Sequence, residues 1–280
     1  MSLDLDERQR AMLEEMHVRV WWPRRDTSVR LEPVEVSFAD RPVGPRNETR
    51  MPKESAHPLP EPVHVAGSHV GVSYDAVDAM DWPELSRTVA ACTACKLCAG
   101  RKAPVFSTEA PARQADWLVV GEPPDEQEER VGAPFAGQAG QLLDNMLRAV
   151  NLSRDGSGSA GARLTNVVKC RTVPVRNPQA DELASCAAYL RREIALVKPK
   201  LILAMGRFAA LSLLAESSPE LAGLPLGKLR GQVHRYQGLP VVVTYHPAML
   251  LRAREDKALA WADLCLAQSV ARREVEPGGA

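Results

Sequence analysis

Four short β-rich runs, each closed by a change of chemistry, constrain the fold of this chain more than any other feature. They are "WLVVGE" (117–122), "LTNVVKC" (164–170), "KLILAMG" (200–206) and "PVVVTYHP" (240–247). Between and after them lie helical patterns: Leu142, Leu143, Met146, Leu147 and Val150; Leu183, Ala187, Leu190, Ile194 and Val197; Phe208 to Leu214; and Leu259 to Val270. Strands alternating with helices predict an α/β fold, three-layer α/β/α, around a central, mostly parallel four-stranded sheet. In such sheets the ligand crevice lies beyond the carboxyl ends of the strands. Glu122, Asn166 and His246, though far apart in sequence, are therefore expected to meet on one rim.

The remaining text divides the chain. Residues 4–16, "DLDERQRAMLEEM", suit a short amphipathic helix, and "VRVWWP" after it alternates and stops at Pro23. From Arg24 to Tyr74 the sequence is rich in Pro, charge and small residues without a period, as a linker would be. The expected division is an extension over 1–23, a low-complexity linker over 24–80, a folded domain over 81–273 and a tail over 274–280. The charges in "MSLDLDERQR" are foreign to a secretory signal, and no run approaches the ~18 apolar residues of a membrane span. A cytoplasmic chain with no membrane partner is expected, in which the sequons at Asn47 and Asn151 are chance matches and structural disulfides are not anticipated. Formal net charge is zero, so any nucleic acid must be met by a local basic patch.

Of six cysteines, Cys92, Cys95 and Cys98 stand three residues apart in "CTACKLC". Cys170 closes the second β-rich run and Cys186 lies on the helical pattern that follows. Cys265, inside "ADLCLAQSV", reads as a small buried hydrophobe. Tight CxxC spacing suits a metal because neighbouring thiolates reach one centre without long loops. Spacing alone leaves a four-thiolate zinc site, an iron–sulfur cluster and core filling all open.

Three further stretches carry chemistry. "GEPPDEQEERVGAPFAGQAGQLLD" (121–144) leaves a strand, crosses an acidic loop, passes Gly132, Phe135, Gly137 and Gly140, and enters a helix whose first N–H groups are free. "TNVVKCR" (165–171) sets Asn166 beside valines, as a satisfied structural amide or a reader of a ligand's hydrogen-bonding edge. "TYHPAMLLR" (244–252) places His246 against a proline at a strand end.

Taken in order, "GE…P…E…G.PF.G.AGQLLD", "TN.VKCR", "KPK.I.A.G..A…LL" and "TYHPA.LLR…K…W.DL", behind the cysteine pair, resemble the family 4 uracil-DNA glycosylases over about residues 82–272. The resemblance implies a [4Fe–4S] cluster on Cys92, Cys95, Cys170 and Cys186, with Cys98 outside the four. It implies a pocket in which Phe135 stacks on the extruded uracil with Gly121 also binding it, Asn166 reads its Watson–Crick edge by donating to O4 and accepting from N3–H, and His246 bonds the base as charge develops. Glu122 and Glu128 match acidic positions that place water or organise the pocket. Leu250 or Leu251 would wedge into the minor groove, and Lys228, Arg230, Arg235, Arg252 and Arg254 would contact phosphates.

The implied activity is a monofunctional DNA repair glycosylase that flips uracil out of single- or double-stranded DNA and hydrolyses its N-glycosidic bond, in a monomeric, nucleoid-associated bacterial protein. The other reading is a non-catalytic iron–sulfur module of the same fold that binds DNA or the replisome. The chain departs from the family pattern at Pro123 and Asp125, where glycine is usual, and at Val175, where asparagine is usual. Residues 1–23 faintly resemble the peptide by which the psi subunit of bacterial DNA polymerase III docks on the clamp loader, implying a replisome contact.

Overall fold

The structure, a computed structural model, describes residues 74–107, 115–215, 218–221 and 223–275. The expectations for residues 1–23, for the linker as far as 73 and for 276–280 lie outside these residues. The elements are α1 (Tyr74–Ala79), α2 (Trp82–Ala91), β1 (Ala115–Gly121), α3 (Glu126–Val131), α4 (Gly137–Ala149), β2 (Gly158–Asn166), α5 (Ala180–Val197) and β3 (Leu201–Met205). They continue with α6 (Arg207–Leu214), α7 (Leu226–Leu229), β4 (Val233–Tyr236), β5 (Leu239–Thr244), α8 (Pro247–Arg252) and α9 (Lys257–Val275).

The strands form one sheet in the order β2-β1-β3-β5-β4, parallel except for β4, which runs antiparallel to β5. Side chains alternate across it. Leu118, Val120, Ile202, Ala204, Val241 and Val243 join one core with Leu85 and Val89 of α2, Ile194 and Val197 of α5, and Leu213 of α6. Trp117, Val119, Leu201, Leu203, Met205 and Val242 join the other with Leu143, Met146 and Leu147 of α4 and Leu264 of α9. Burying each such side chain contributes about 1.5–3 kcal/mol, which is why both faces are closed by helices.

The sheet differs from expectation by a fifth strand. β4, "VHRY", buries only Tyr236, as an edge strand does, and its polarity hid it in the sequence. A two-residue turn at Gln237 (φ 48°) and Gly238 (φ 86°) joins it to β5 in the geometry that hairpins favour. The second run also ends early. β2 stops at Asn166 opposite Gly121, the last residue of β1, so beyond it there is no ladder left to join. The chain turns inward instead, the Val167 N–H donating to Gly121 O at 2.9 Å and the Val105 N–H to Lys169 O at 2.7 Å.

Residues 74–80, assigned from sequence to the linker, carry α1. Its helix is too short to show a period, and it is held by contacts: Val77 is buried, Asp78 pairs with Arg191 of α5 at 3.1 Å, and Arg192 donates to Met80 O. From β1 the sheet grows to one side through β2 and to the other through β3. The crevice at that reversal lies beyond the carboxyl ends of β1 and β3, next to Glu122 and Gly206.

Candidate active site

Glu122 leaves β1 into this crevice. Its Oε1 accepts the Phe208 N–H at 2.9 Å, at the start of α6. Gly206 makes this approach possible: it sits at φ 106°, and a Cβ there would lie 2.0 Å from Glu122 Oε1. Burial raises the carboxyl to a pKa of about 7, against the lowering by the Phe208 and Ala209 N–H groups and the Arg207 charge.

Asn166 ends β2 on the same rim, almost wholly buried. Its Nδ2 donates to Glu122 O at 2.9 Å and to Glu128 Oε1 at 3.0 Å. A backbone carbonyl only accepts, so this pairing fixes the amide's orientation. Both amide hydrogens are used. Oδ1, buried, has no partner among the described residues. Donation to O4, expected of this side chain, would require one of these two internal bonds to be exchanged.

Glu128 holds the pocket from behind. Its Oε1 also accepts the Phe135 N–H at 2.5 Å, and its Oε2 the Asp125 N–H at 2.8 Å in a capping box that starts α3. Burial raises its carboxyl, opposed by these same donors. It holds the Phe135 backbone and the Asn166 amide in place, the pocket-organising arrangement. Its neighbour Glu129, which sequence reasoning passed over, accepts the Lys102 N–H at 2.9 Å and Arg171 Nε at 3.0 Å. Two adjacent carboxylates thus hold the pocket and the segments flanking the cysteines.

Phe135 is strained to φ 53° and packs so closely on Gly121 that a Cβ there would meet its Cζ at 2.5 Å. Its ring stacks on His246, centroids 5.2 Å apart and planes at 22°. His246 caps α8, its Nδ1 accepting the Ala248 N–H at 3.3 Å. That bond places the proton on Nε2, which is buried without a partner among the described residues. Burial lowers the imidazole to a pKa of about 4, keeping it neutral. Glu122, Asn166, Phe135 and His246 converge as the sequence predicted.

Exposure sorts the residues expected to wedge or to meet phosphates. Leu250 is fully buried in the second core and cannot wedge anything, since α8 turns that face onto the sheet. Leu251 and Met249 are exposed, 41% and 43%, on its other faces. Arg252, Arg254, Arg235 and Lys228 are exposed too. Arg230 is not: its side chain turns inward and pairs with buried Asp263 at 2.8 Å.

Cys92, Cys95, Cys98, Cys170 and Cys186 line one cavity with Arg101 and Tyr189. Arg101, a residue with no motif to announce it, donates to Cys170 Sγ at 2.9 Å and to the carbonyls of Cys92 and Ala90 at 2.9 and 3.1 Å. Burial pushes the Cys186 thiol up to about 12 and raises Cys170 and Cys95. Among the described residues no three such groups are gathered on a point that could hold a single ion. The thiols surround a space instead, and a soft sulfur set with a cation beside it fits an iron–sulfur centre.

A mostly parallel sheet whose carboxyl rim gathers an acid, an amide, an aromatic ring and a neutral histidine defines a class of base-handling enzymes, and a sequence model of the Uracil DNA glycosylase superfamily matches residues 108–266. The chain is 33% identical to the Type-4 uracil-DNA glycosylase of Sulfurisphaera tokodaii over 171 residues, 60% of this chain and 74% of that one. It is 33% identical to that of Thermotoga maritima over 174 residues, 62% and 84%, and 39% identical to that of Pyrobaculum aerophilum over 142 residues, 48% and 67%. The chain belongs to the uracil DNA glycosylase superfamily, on its type-4 branch.

Proposed function

We propose that this protein removes uracil from DNA by hydrolysing the N-glycosidic bond, leaving an abasic site for base excision repair. The observation that carries this reading is the pair of open buried atoms, Asn166 Oδ1 and His246 Nε2, one an acceptor and the other a donor. Uracil supplies their complements, an N3–H to the amide oxygen and O2 to the imidazole N–H. Cytosine turns a lone pair at N3 toward Asn166 Oδ1, and a buried acceptor facing an acceptor is costly.

The target base must leave the stack to be reached. Phe135 offers it a ring face, but 5.2 Å between centroids leaves no room for a base beside His246, so the imidazole swings off Phe135 as the base enters. As the C1′–N1 bond breaks, its electron pair passes to the base and His246 Nε2–H stabilises the charge on O2. Water attacks C1′, and Glu122, whose pKa of about 7 suits a proton acceptor near neutrality, takes its proton. Lys169, three residues past Asn166, is buried against Glu193 and Thr165 and is not free to act as an amine nucleophile.

Cys92, Cys95, Cys170 and Cys186 would hold a [4Fe–4S] cluster, which when bound supplies a cross-link between the α2 segment, the chain beyond β2 and α5. Leu251 and Arg252 on α8 face outward to meet the duplex. The test is abasic-site formation by the cluster-loaded full chain on uracil-containing single- and double-stranded oligonucleotides. Asn166→Ala and His246→Ala should lose activity and keep their iron; a loaded wild-type protein that forms no abasic sites overturns the proposal.

A further inference from the structure

Arg230 is turned into the protein. Its Nε donates to Asp263 Oδ2 at 2.9 Å, a terminal nitrogen lies 2.8 Å from the same oxygen, and the guanidinium also donates to Leu259 O. Asp263, on α9, is fully buried, and its other oxygen accepts the Gly231 N–H at 3.1 Å. The guanidinium carbon lies over the Tyr245 ring, 5.0 Å from its centre. Tyr245 immediately precedes His246. Its hydroxyl lies toward α7, where a Cβ on Gly227 would be 3.9 Å away.

The His246 ring has little else to orient it. Among the described residues its one hydrogen bond is the long one from Ala248, and its only ring contact, with Phe135, must open for a base to enter. What stays fixed during that motion is the backbone, which has two soft dihedrals per residue on either side. Pro247 restrains the far side and Tyr245 the near side.

We propose that Arg230 is a positioning residue for His246, acting through the Tyr245 ring that it lies over and held in place by Asp263. This rests on the reading of His246 as the residue that meets the base. A lysine cannot replace it, because an ammonium lacks the rigid pair of donors that meets Asp263 Oδ2 and the broad planar cation that covers Tyr245.

The test compares Arg230→Lys, Arg230→Gln, Asp263→Asn, Tyr245→Phe and Tyr245→Ala in the cluster-loaded full chain. Single-turnover excision at saturating DNA is measured beside DNA affinity from 50 to 200 mM salt. Both arginine variants and Asp263→Asn, which is too buried to touch DNA, are expected to lose about 10²-fold in rate, the scale of a small misplacement of a reacting group, at unchanged affinity. Tyr245→Phe should retain far more rate than Tyr245→Ala, and these two carry the test if the charge-pair variants do not fold.

In the free protein, the His246 ring NMR signals should move in the Arg230 and Asp263 variants and stay put in Arg148→Gln, an exposed arginine on α4. That readout needs no catalysis, so it separates failure of this inference from failure of the excision reading. The inference is overturned if Arg230→Gln weakens binding and lowers the salt slope by about one phosphate contact at full single-turnover rate, or if the His246 signals do not respond.

Discussion

Gly121 is the residue whose side chain the pocket cannot accept. In Gly121→Ala the new Cβ would lie 2.5 Å from Phe135 Cζ and 2.9 Å from Cε2, where carbon atoms rest at about 3.5–4.0 Å. The ring must retreat by about 1 Å on that scale. Its backbone cannot follow: the N–H is held by Glu128, the residue already sits at φ 53°, and its carbonyl closes so tightly on Gly140 that a Cβ there would lie 1.9 Å away. The retreat must come from the side-chain torsions, toward a stack with His246 that is already closed. Overpacking of this kind costs about 1–3 kcal/mol. At about 2–4 °C per kcal/mol for a domain of this size, thermal melts should fall by about 2–12 °C.

Single-turnover excision should fall by about 10²-fold, since a misplacement of ~1 Å at a reacting centre has that effect. A double-mutant cycle isolates the clash. Phe135→Leu removes the atoms that the methyl meets, so adding Gly121→Ala to it should lower the melt by much less than it does in the wild type. Equal losses in both backgrounds, or a Gly121→Ala protein with wild-type melt and rate, would refute the geometry.

Excision should show an acid limb near pH 7 from Glu122, absent in Glu122→Gln; the same limb in both proteins would refute its assignment. The folded carboxyl binds its proton more tightly than the unfolded one, so its contribution to stability is full below pH 4.5 and lost as pH rises through about 7. His246, lowered from 6.5 to about 4, contributes oppositely, fully above 6.5 and lost as pH falls through about 4; denaturant titrations across pH separate the two. Leu250→Ala should cost about 2–5 kcal/mol in denaturant unfolding, whereas Leu251→Ala should melt like wild type and lose excision on duplex more than on single strands. Cys170→Ala should lose the iron chromophore, Cys98→Ala should keep it, and Arg101→Gln should bleach faster in air, as absorbance and iron content will show.

The sheet and its rim were legible because apolar runs such as Val241 to Val243 and helix periods such as Leu143, Met146 and Leu147 report burial on both faces directly. β4 was not, since an edge strand buries one residue in four and reads as loop. The convergence of Glu122, Asn166 and His246 followed from the rule that strand ends share a rim. What sequence could not show was how each hydrogen is spent. Asn166 reads as a two-way reader until its amide hydrogens are seen on Glu122 and Glu128, and Arg230 reads as a phosphate contact until Asp263, thirty-three residues away, is seen beneath it. The same holds for Leu250 and Leu251, adjacent letters of like chemistry that α8 sends to opposite environments.

Glu128 and Glu129 are adjacent on α3, and successive residues on an α-helix point about 100° apart. One carboxylate therefore looks toward Phe135 and Asn166 while the next looks toward Lys102 and Arg171. A substitution at either position breaks one set of bonds. Inserting or deleting a single residue before them would rotate both away together, loosening the base pocket and the cysteine-bearing segments in one event. The length of α3 is thus held more strictly than the identity of its exposed residues Glu126 and Arg130: this helix can vary in letters but not in phase.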